Sequence, residues 1–91
     1  MKRHWKLWVR GKVQGVYYRK SAKLKADELQ LFGWIRNEAD GSVYIEVEGN
    51  ENALTQFTDW CRQGSAHAIV EQVKIEAGIV IDYQLFEIKR L

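Results

Sequence analysis

The chain has 91 residues and a formal net charge of +2, and with 46% hydrophobic and 29% charged residues it has the composition of an ordinary globular domain. No apolar run approaches the ~20 residues of a membrane span, and the N-terminus lacks the apolar core of a signal peptide, so we expect a cytoplasmic protein with no membrane partner. The single cysteine, Cys61, excludes an internal disulfide framework.

The first half of the chain predicts a strand, a loop and a helix. Residues 5–10 alternate between apolar and polar side chains, as a half-buried strand does. Residues 11–16 contain two glycines and predict a loop. From Arg19 onwards, apolar residues recur at helical spacing among strong helix formers.

The rest of the chain predicts two strands joined by a turn with the Asp40-Gly41 signal, then a second helix and two short strands. These elements lie at residues 33–37, 43–48, 50–64, 73–75 and 85–88. The order β-α-β-β-α-β plus a short final strand predicts a ferredoxin-like α+β sandwich, with two helices on one face of a mainly antiparallel sheet. Residues 1–91 are expected to form a single domain. Many functions share this architecture, so the function has to be inferred from a site.

The charges are distributed unevenly along the chain. Residues 1–25 hold nine Lys and Arg and no acid, whereas residues 26–91 hold five basic and all twelve acidic residues. This pattern predicts either a solvated basic face or a positive field that attracts an anion. Charge alone does not distinguish a small phosphorylated ligand from a nucleic acid.

The loop between Gly11 and Arg19 is the candidate anion site. A glycine-bearing loop that enters a helix can point several backbone N–H groups into one concavity, and the helix N-terminus adds partial positive charge. Arg19 could bind two phosphate oxygens at once. On these residues alone, an ordinary turn beside a surface arginine remains an open alternative.

Cysteine and histidine do not suggest a catalytic or metal site. A phosphatase thiolate at Cys61 would need an arginine six residues later, and that position is His67. Neither His4 nor His67 has a Cys or Asp partner at metal-ligand spacing. We therefore interpret Cys61 as a buried helix residue and both histidines as surface or loop residues, and we expect neither a metal nor a cofactor.

Three segments together resemble a known family. They are residues 11–19 (Gly-Lys-Val-Gln-Gly-Val-Tyr-Tyr-Arg), 33–37 (Gly-Trp-Ile-Arg-Asn) and 40–43 (Asp-Gly-Ser-Val). In residues and in spacing they closely resemble the acylphosphatase family, and the likeness extends to residues 86–88. The resemblance implies a small stand-alone, metal-independent enzyme that hydrolyses acyl phosphates to a carboxylate and inorganic phosphate by in-line attack of water. For so small an enzyme, a monomer is the simplest expectation.

The resemblance also implies the roles of particular residues. Arg19 stands at the position of the family's phosphate-binding arginine, and Asn37 at that of its water-positioning asparagine. The backbone amides that would cradle the phosphate belong to Gln14, Gly15, Val16, Tyr17 and Tyr18. Gln30 and Ala66 replace a common glycine and a frequent proline of the family, and neither change removes a group from the site.

Two alternatives remain. The domain could bind phosphate as a regulatory module without turnover. It could also bind RNA through an outward face bearing Trp8 and Tyr44. Glu46 and Glu48 share that predicted face and would repel phosphates, so we expect no nucleic-acid partner.

Overall fold

The computed structural model describes residues 1–90, which form a five-stranded sheet with two helices on one face. The strands are β1 (Lys2–Lys12), β2 (Phe32–Asn37), β3 (Val43–Asn50), β4 (Ile69–Gly78) and β5 (Phe86–Lys89), and the helices are α1 (Tyr18–Glu28) and α2 (Glu51–Gln63). The sheet order is β4-β1-β3-β2-β5. Within residues 1–90 only β2 and β5 pair in parallel, so the predicted ferredoxin-like α+β fold is confirmed.

The core lies between the sheet and the helices because alternate strand residues and one stripe of each helix are apolar. Leu7 and Val9 of β1 are fully buried, as are Ile45 of β3 and the helix residues Ala22 and Phe57. Cys61 is buried in the same layer, as predicted. Neither helix within residues 1–90 is long and apolar enough to cross a membrane.

Two strands are longer than the alternation pattern predicts. β1 continues through Gly11 and Lys12, which were assigned to the loop, and β4 has ten residues instead of three. The pairing of β1 with β4 shifts register after Arg10. At Gly11, where φ is +130°, a Cβ atom would lie 2.1 Å from the carbonyl oxygen of Ile69. Only glycine therefore lets the two backbones approach here, and this long-range pairing is what extends both strands.

The face of the sheet opposite the helices is partly covered by the connection between β4 and β5. His4 lies on this face with only 2% of its surface exposed, so its assignment as a surface or loop residue was wrong. Its Nδ1 lies 2.7 Å from Oε2 of Glu48 and its Nε2 lies 3.0 Å from Oε1 of Glu46. The sequence pattern missed this because the covering segment, residues 79–85, is distant in sequence. His67 is exposed, as expected.

Candidate active site

A cavity of about 480 Å³ lies where the loop before α1 meets the ends of β2 and β5. Its lining residues are Val13, Gly15, Tyr17, Tyr18, Arg19, Lys20, Asn37, Ile88 and Arg90. The fold thus brings Arg19 and Asn37, which are 18 residues apart in sequence, to one cavity together with most of the predicted loop. A larger open hollow of about 690 Å³ at the start of α2 includes none of the predicted site residues.

The loop enters α1 through two residues with left-handed backbone, Gly15 (φ 73°) and Tyr17 (φ 61°). No side chain among residues 1–90 caps the N-terminus of α1, and the first turn of that helix contains no acidic residue. By contrast, the side chain of Asn50 caps α2 by accepting a hydrogen bond from the backbone N–H of Ala53. The partial positive charge at the start of α1 is therefore not offset by a local carboxylate, which suits an anion site.

Gln14 and Val16 are not among the residues, within 1–90, that line the cavity. The side-chain amide of Gln14 instead donates hydrogen bonds to the carbonyl oxygens of Glu38 (2.8 Å) and Ser42 (2.9 Å), in the turn that follows Asn37. The carbonyl oxygen of Val16 accepts one from Ser65 (2.8 Å). The loop is thus fixed on two sides. The motif predicts a role only for the backbone amide of Gln14, and no local signal in the sequence indicates this side-chain contact.

Tyr18, the first residue of α1, anchors the loop to α2. Its ring is buried and its hydroxyl donates to the carbonyl oxygen of Cys61 at 2.8 Å. Burial raises the pKa of Tyr18 far above its ordinary value, so the phenol stays a neutral donor. Burial also raises the pKa of the Cys61 thiol to about 12, and Cys61 lies outside the cavity lining. A thiolate nucleophile is therefore not available at neutral pH.

Arg19 and Asn37 are held by different elements. The Nη1 of Arg19, in the first turn of α1, donates to the carbonyl oxygen of Lys89 in β5 at 3.4 Å. Asn37 is the last residue of β2, and its Oδ1 is buried without a hydrogen-bond partner among residues 1–90. Buried polar atoms are nearly always paired, so a free acceptor in a cavity-lining residue indicates a place for a ligand or a water.

The turn after Asn37 is stiffened by Asp40. Its carboxylate accepts hydrogen bonds from the hydroxyl (2.6 Å) and the backbone N–H (2.9 Å) of Ser42. These bonds, with a smaller contribution from Arg10, hold the pKa of Asp40 below its ordinary value despite some desolvation. The backbone N–H of Glu38 also donates to the carbonyl oxygen of Ser42 at 2.8 Å. Asn37 therefore leads directly into a well-ordered turn.

Five of the nine cations in residues 1–25 form ion pairs away from the cavity. The pairs are Lys2–Asp82, Arg3–Glu51, Arg10–Asp40, Lys23–Asp27 and Lys25–Glu28. Arg19 and Lys20, which line the cavity, have no such partner within residues 1–90, and no carboxylate from that part of the chain lines it. The same residues contain no group of three or more His, Cys, Asp or Glu side chains that could hold a metal ion.

Comparisons with known proteins point to one family. The acylphosphatase family model matches residues 5–88. An acylphosphatase of Marinobacter nauticus is 51% identical over 69 residues, which cover 76% of this chain and 75% of that protein. An acylphosphatase of Gloeobacter violaceus is 40% identical over 84 residues, which cover 92% of this chain and 90% of that protein.

Solved structures give the same result. An acylphosphatase structure from Coxiella burnetii superposes with a TM-score of 0.94 at 36% identity, covering 97% of this chain and 93% of that one. The acylphosphatase of Bacillus subtilis superposes with a TM-score of 0.94 at 33% identity, covering 98% of this chain and 99% of that one.

Proposed function

This chain belongs to the acylphosphatase family, and we propose that Arg19 and the loop amides bind the phosphoryl group while Asn37 positions the attacking water. As an acylphosphatase it hydrolyses the bond between a carboxyl oxygen and phosphorus, releasing a carboxylate and inorganic phosphate. The observation that supports these roles is the meeting of Arg19 and the buried, unpaired Oδ1 of Asn37 at one cavity.

The phosphoryl oxygens bind to the guanidinium of Arg19 and to backbone N–H groups of residues 14–18, of which Gly15, Tyr17 and Tyr18 line the cavity. Left-handed backbone at Gly15 and Tyr17 supports this assignment, because such turns let consecutive N–H groups converge on an anion. The uncapped start of α1 and the nearby Lys20 add positive potential. Together they stabilise the charge that spreads over the equatorial oxygens in the transition state.

The chemistry explains why so few groups are needed. A carboxylic acid has a pKa near ~4, so the leaving carboxylate needs no proton from a general acid. Phosphoryl transfer then depends mainly on positioning and charge stabilisation, which amides and an arginine supply without a metal. We propose on these grounds that the enzyme is metal-independent.

Asn37 supplies the remaining function, which is to orient the water. Its Oδ1 accepts a hydrogen bond from the water, whose oxygen attacks phosphorus as the bond to the carboxylate oxygen breaks on the opposite side. An amide is a poor base, so the proton of the water passes to a phosphoryl oxygen and afterwards to solvent. Arg19 and Asn37 of the same chain meet at this cavity, so the site needs no second subunit to bring them together, and we propose a monomer as the working unit.

The direct test is hydrolysis of benzoyl phosphate with excess EDTA, followed by ultraviolet absorbance. We expect turnover in the wild-type protein, and a loss of about 10²–10³-fold in kcat in Asn37→Ala, because one preorganised group is removed. Asn37→Ala should still bind inorganic phosphate by calorimetric titration, whereas Arg19→Ala should lose both phosphate affinity and turnover.

Asn52→Ala and Arg62→Ala, exposed positions on α2, are the matched controls and should behave as wild type. Loss of phosphate binding in Asn37→Ala would disprove its role as a water-positioning residue. A folded wild-type protein that binds phosphate without hydrolysis would instead favour the phosphate-binding module.

A further inference from the structure

The cavity contains more than a phosphoryl site. Beyond the backbone and side-chain groups assigned to phosphate and water, two large apolar side chains line it and are exposed to solvent, those of Tyr17 (76% exposed) and Ile88 (38%). The other apolar lining residues, Val13 and Tyr18, are buried. Thus the inner part of the cavity is closed by buried groups, and its mouth is bordered by an aromatic ring and a branched aliphatic chain.

The presence of tyrosine at position 17 is not explained by folding. Residue 17 has a left-handed backbone, a conformation that glycine adopts most easily, and the exposed ring adds nothing to the core. Ile88 follows Phe86, the buried residue of β5, by two positions and continues the same face of that strand up to the cavity. Both residues therefore place apolar surface at the site where a ligand would cover it.

We propose, on the basis of the phosphoryl site described above, that Tyr17 and Ile88 form an acyl subsite that favours aromatic acyl groups. With the phosphoryl group held by the loop and Arg19, and the water held by Asn37 opposite the leaving group, the acyl group extends to the mouth. There it contacts the ring of Tyr17 on one side and Ile88 of β5 on the other. Lys20 and Arg90 act on the phosphoryl charge, which all acyl phosphates share, so they do not distinguish one acyl group from another.

The test compares kcat/KM for benzoyl phosphate with that for acetyl phosphate, two substrates of equal charge. Tyr17→Ala should lower the benzoyl-to-acetyl ratio about twofold to tenfold, the range expected for one lost aromatic contact. The ratio cancels any change that the substitution makes to the shared phosphoryl contacts. Tyr17→Phe should keep the wild-type ratio, and Ile88→Ala should lower it by a smaller factor.

Tyr17→Gly distinguishes the effect of the ring from that of the backbone conformation. It removes the ring and also relieves the left-handed conformation, and it should lower the ratio as much as Tyr17→Ala does. If Tyr17→Ala and Tyr17→Gly reduce both substrates by the same factor, Tyr17 acts only through loop geometry and the acyl subsite is disproved.

Binding of acetonylphosphonate and phenacylphosphonate, in which CH₂ replaces the bridging oxygen, measures the subsite without turnover. By calorimetry the wild-type protein should bind the phenacyl compound more tightly, and Tyr17→Ala should lose that preference. A phenacyl preference in a protein that hydrolyses neither acyl phosphate would support the subsite and refute the proposed function. Turnover of both substrates without a phenacyl preference would support the proposed function and refute the subsite.

Discussion

Gln30 follows α1 with a left-handed backbone, at φ 58°. The backbone N–H of Leu31 donates to the carbonyl oxygen of Ala26 (2.8 Å), and the backbone N–H of Gln30 donates to the carbonyl oxygen of Asp27 (3.1 Å). These two bonds are the hydrogen-bond pattern of a Schellman helix end. Glycine is the usual residue at this position because any side chain is strained there. We therefore predict that Gln30→Gly raises the free energy of unfolding by about 1 kcal/mol.

Urea denaturation followed by tryptophan fluorescence measures this effect. The matched control is Gln56→Gly, an exposed position inside α2, which should lower the free energy of unfolding by about 1 kcal/mol because glycine weakens a helix interior. If the two substitutions changed stability in the same direction, backbone strain at Gln30 would not be a significant cost.

Individual residues also show which parts of the site a sequence can reveal. Arg19 and Asn37 stand in recognisable motifs, so their positions could be predicted, and the fold places both at the cavity. The side chain of Gln14 and the buried position of His4 could not be predicted, because their partners lie more than 20 residues away. Motifs identify residues, whereas contacts of this kind depend on how distant elements meet.

At the level of elements, the site depends on the distance between the phosphate-binding loop and the β2–β3 turn. Gln14 fixes that distance through its bonds to the carbonyl oxygens of Glu38 and Ser42. Gln14→Met keeps the length of the side chain but removes both donors. We predict that kcat falls at least about tenfold, since small displacements of a positioned water are costly, while affinity for inorganic phosphate changes much less.

The measurement is a comparison of kcat with the dissociation constant of inorganic phosphate for wild type and variant. Gln84→Met is the control, because the side chain of Gln84 also donates to a backbone carbonyl, that of Asp82, but in an exposed segment away from the cavity. A parallel loss of phosphate affinity and kcat in Gln14→Met would mean that Gln14 supports the phosphate cradle as a whole and does not position it relative to Asn37.

The elements themselves were predictable to different degrees. Alternation and helical spacing gave all five strands and both helices in the right order, because the periodicity of each is local. The lengths of β1 and β4 were wrong because most of their extra residues belong to a long-range pairing, which runs from His4 and Gly78 to the close approach at Gly11. Strand limits of this kind are set by the neighbouring strand, which a single stretch of sequence does not specify.

On the scale of the whole molecule, β4 and β5 occupy opposite edges of the sheet, so the connection at residues 79–85 must cross it. Glu48, on the central strand β3, holds that connection: its carboxylate accepts hydrogen bonds from the backbone N–H groups of Ile81, Asp82 and Tyr83. The connection leads into β5, which supplies Ile88 to the cavity and a carbonyl oxygen to Arg19. A contact on the far face of the sheet thereby supports one wall of the site.

The charge of Glu48 makes this support sensitive to pH. Burial alone would raise the pKa of Glu48, but the hydrogen bonds from Ile81, His4, Tyr83 and Asp82 outweigh it and hold the pKa below the ordinary value of 4.5. A carboxylate with a lowered pKa stabilises the folded state above its ordinary pKa, and this contribution disappears as the pH falls through the folded-state value. The fold should therefore weaken progressively below a pH of about 4.5.

Glu48→Gln tests this contribution, because an amide can accept fewer of these bonds and places N–H donors against the backbone N–H groups. We predict that the variant is less stable than wild type by about 2 kcal/mol at pH 7, and that the difference shrinks as the pH falls below about 4.5. Urea denaturation at a series of pH values between 7 and 3 measures the difference. Exposed Glu71→Gln is the control and should differ little from wild type at any pH. A Glu48→Gln deficit that stayed constant down to pH 3 would show that the side chain acts through packing, and that its charge does not hold the crossing segment in place.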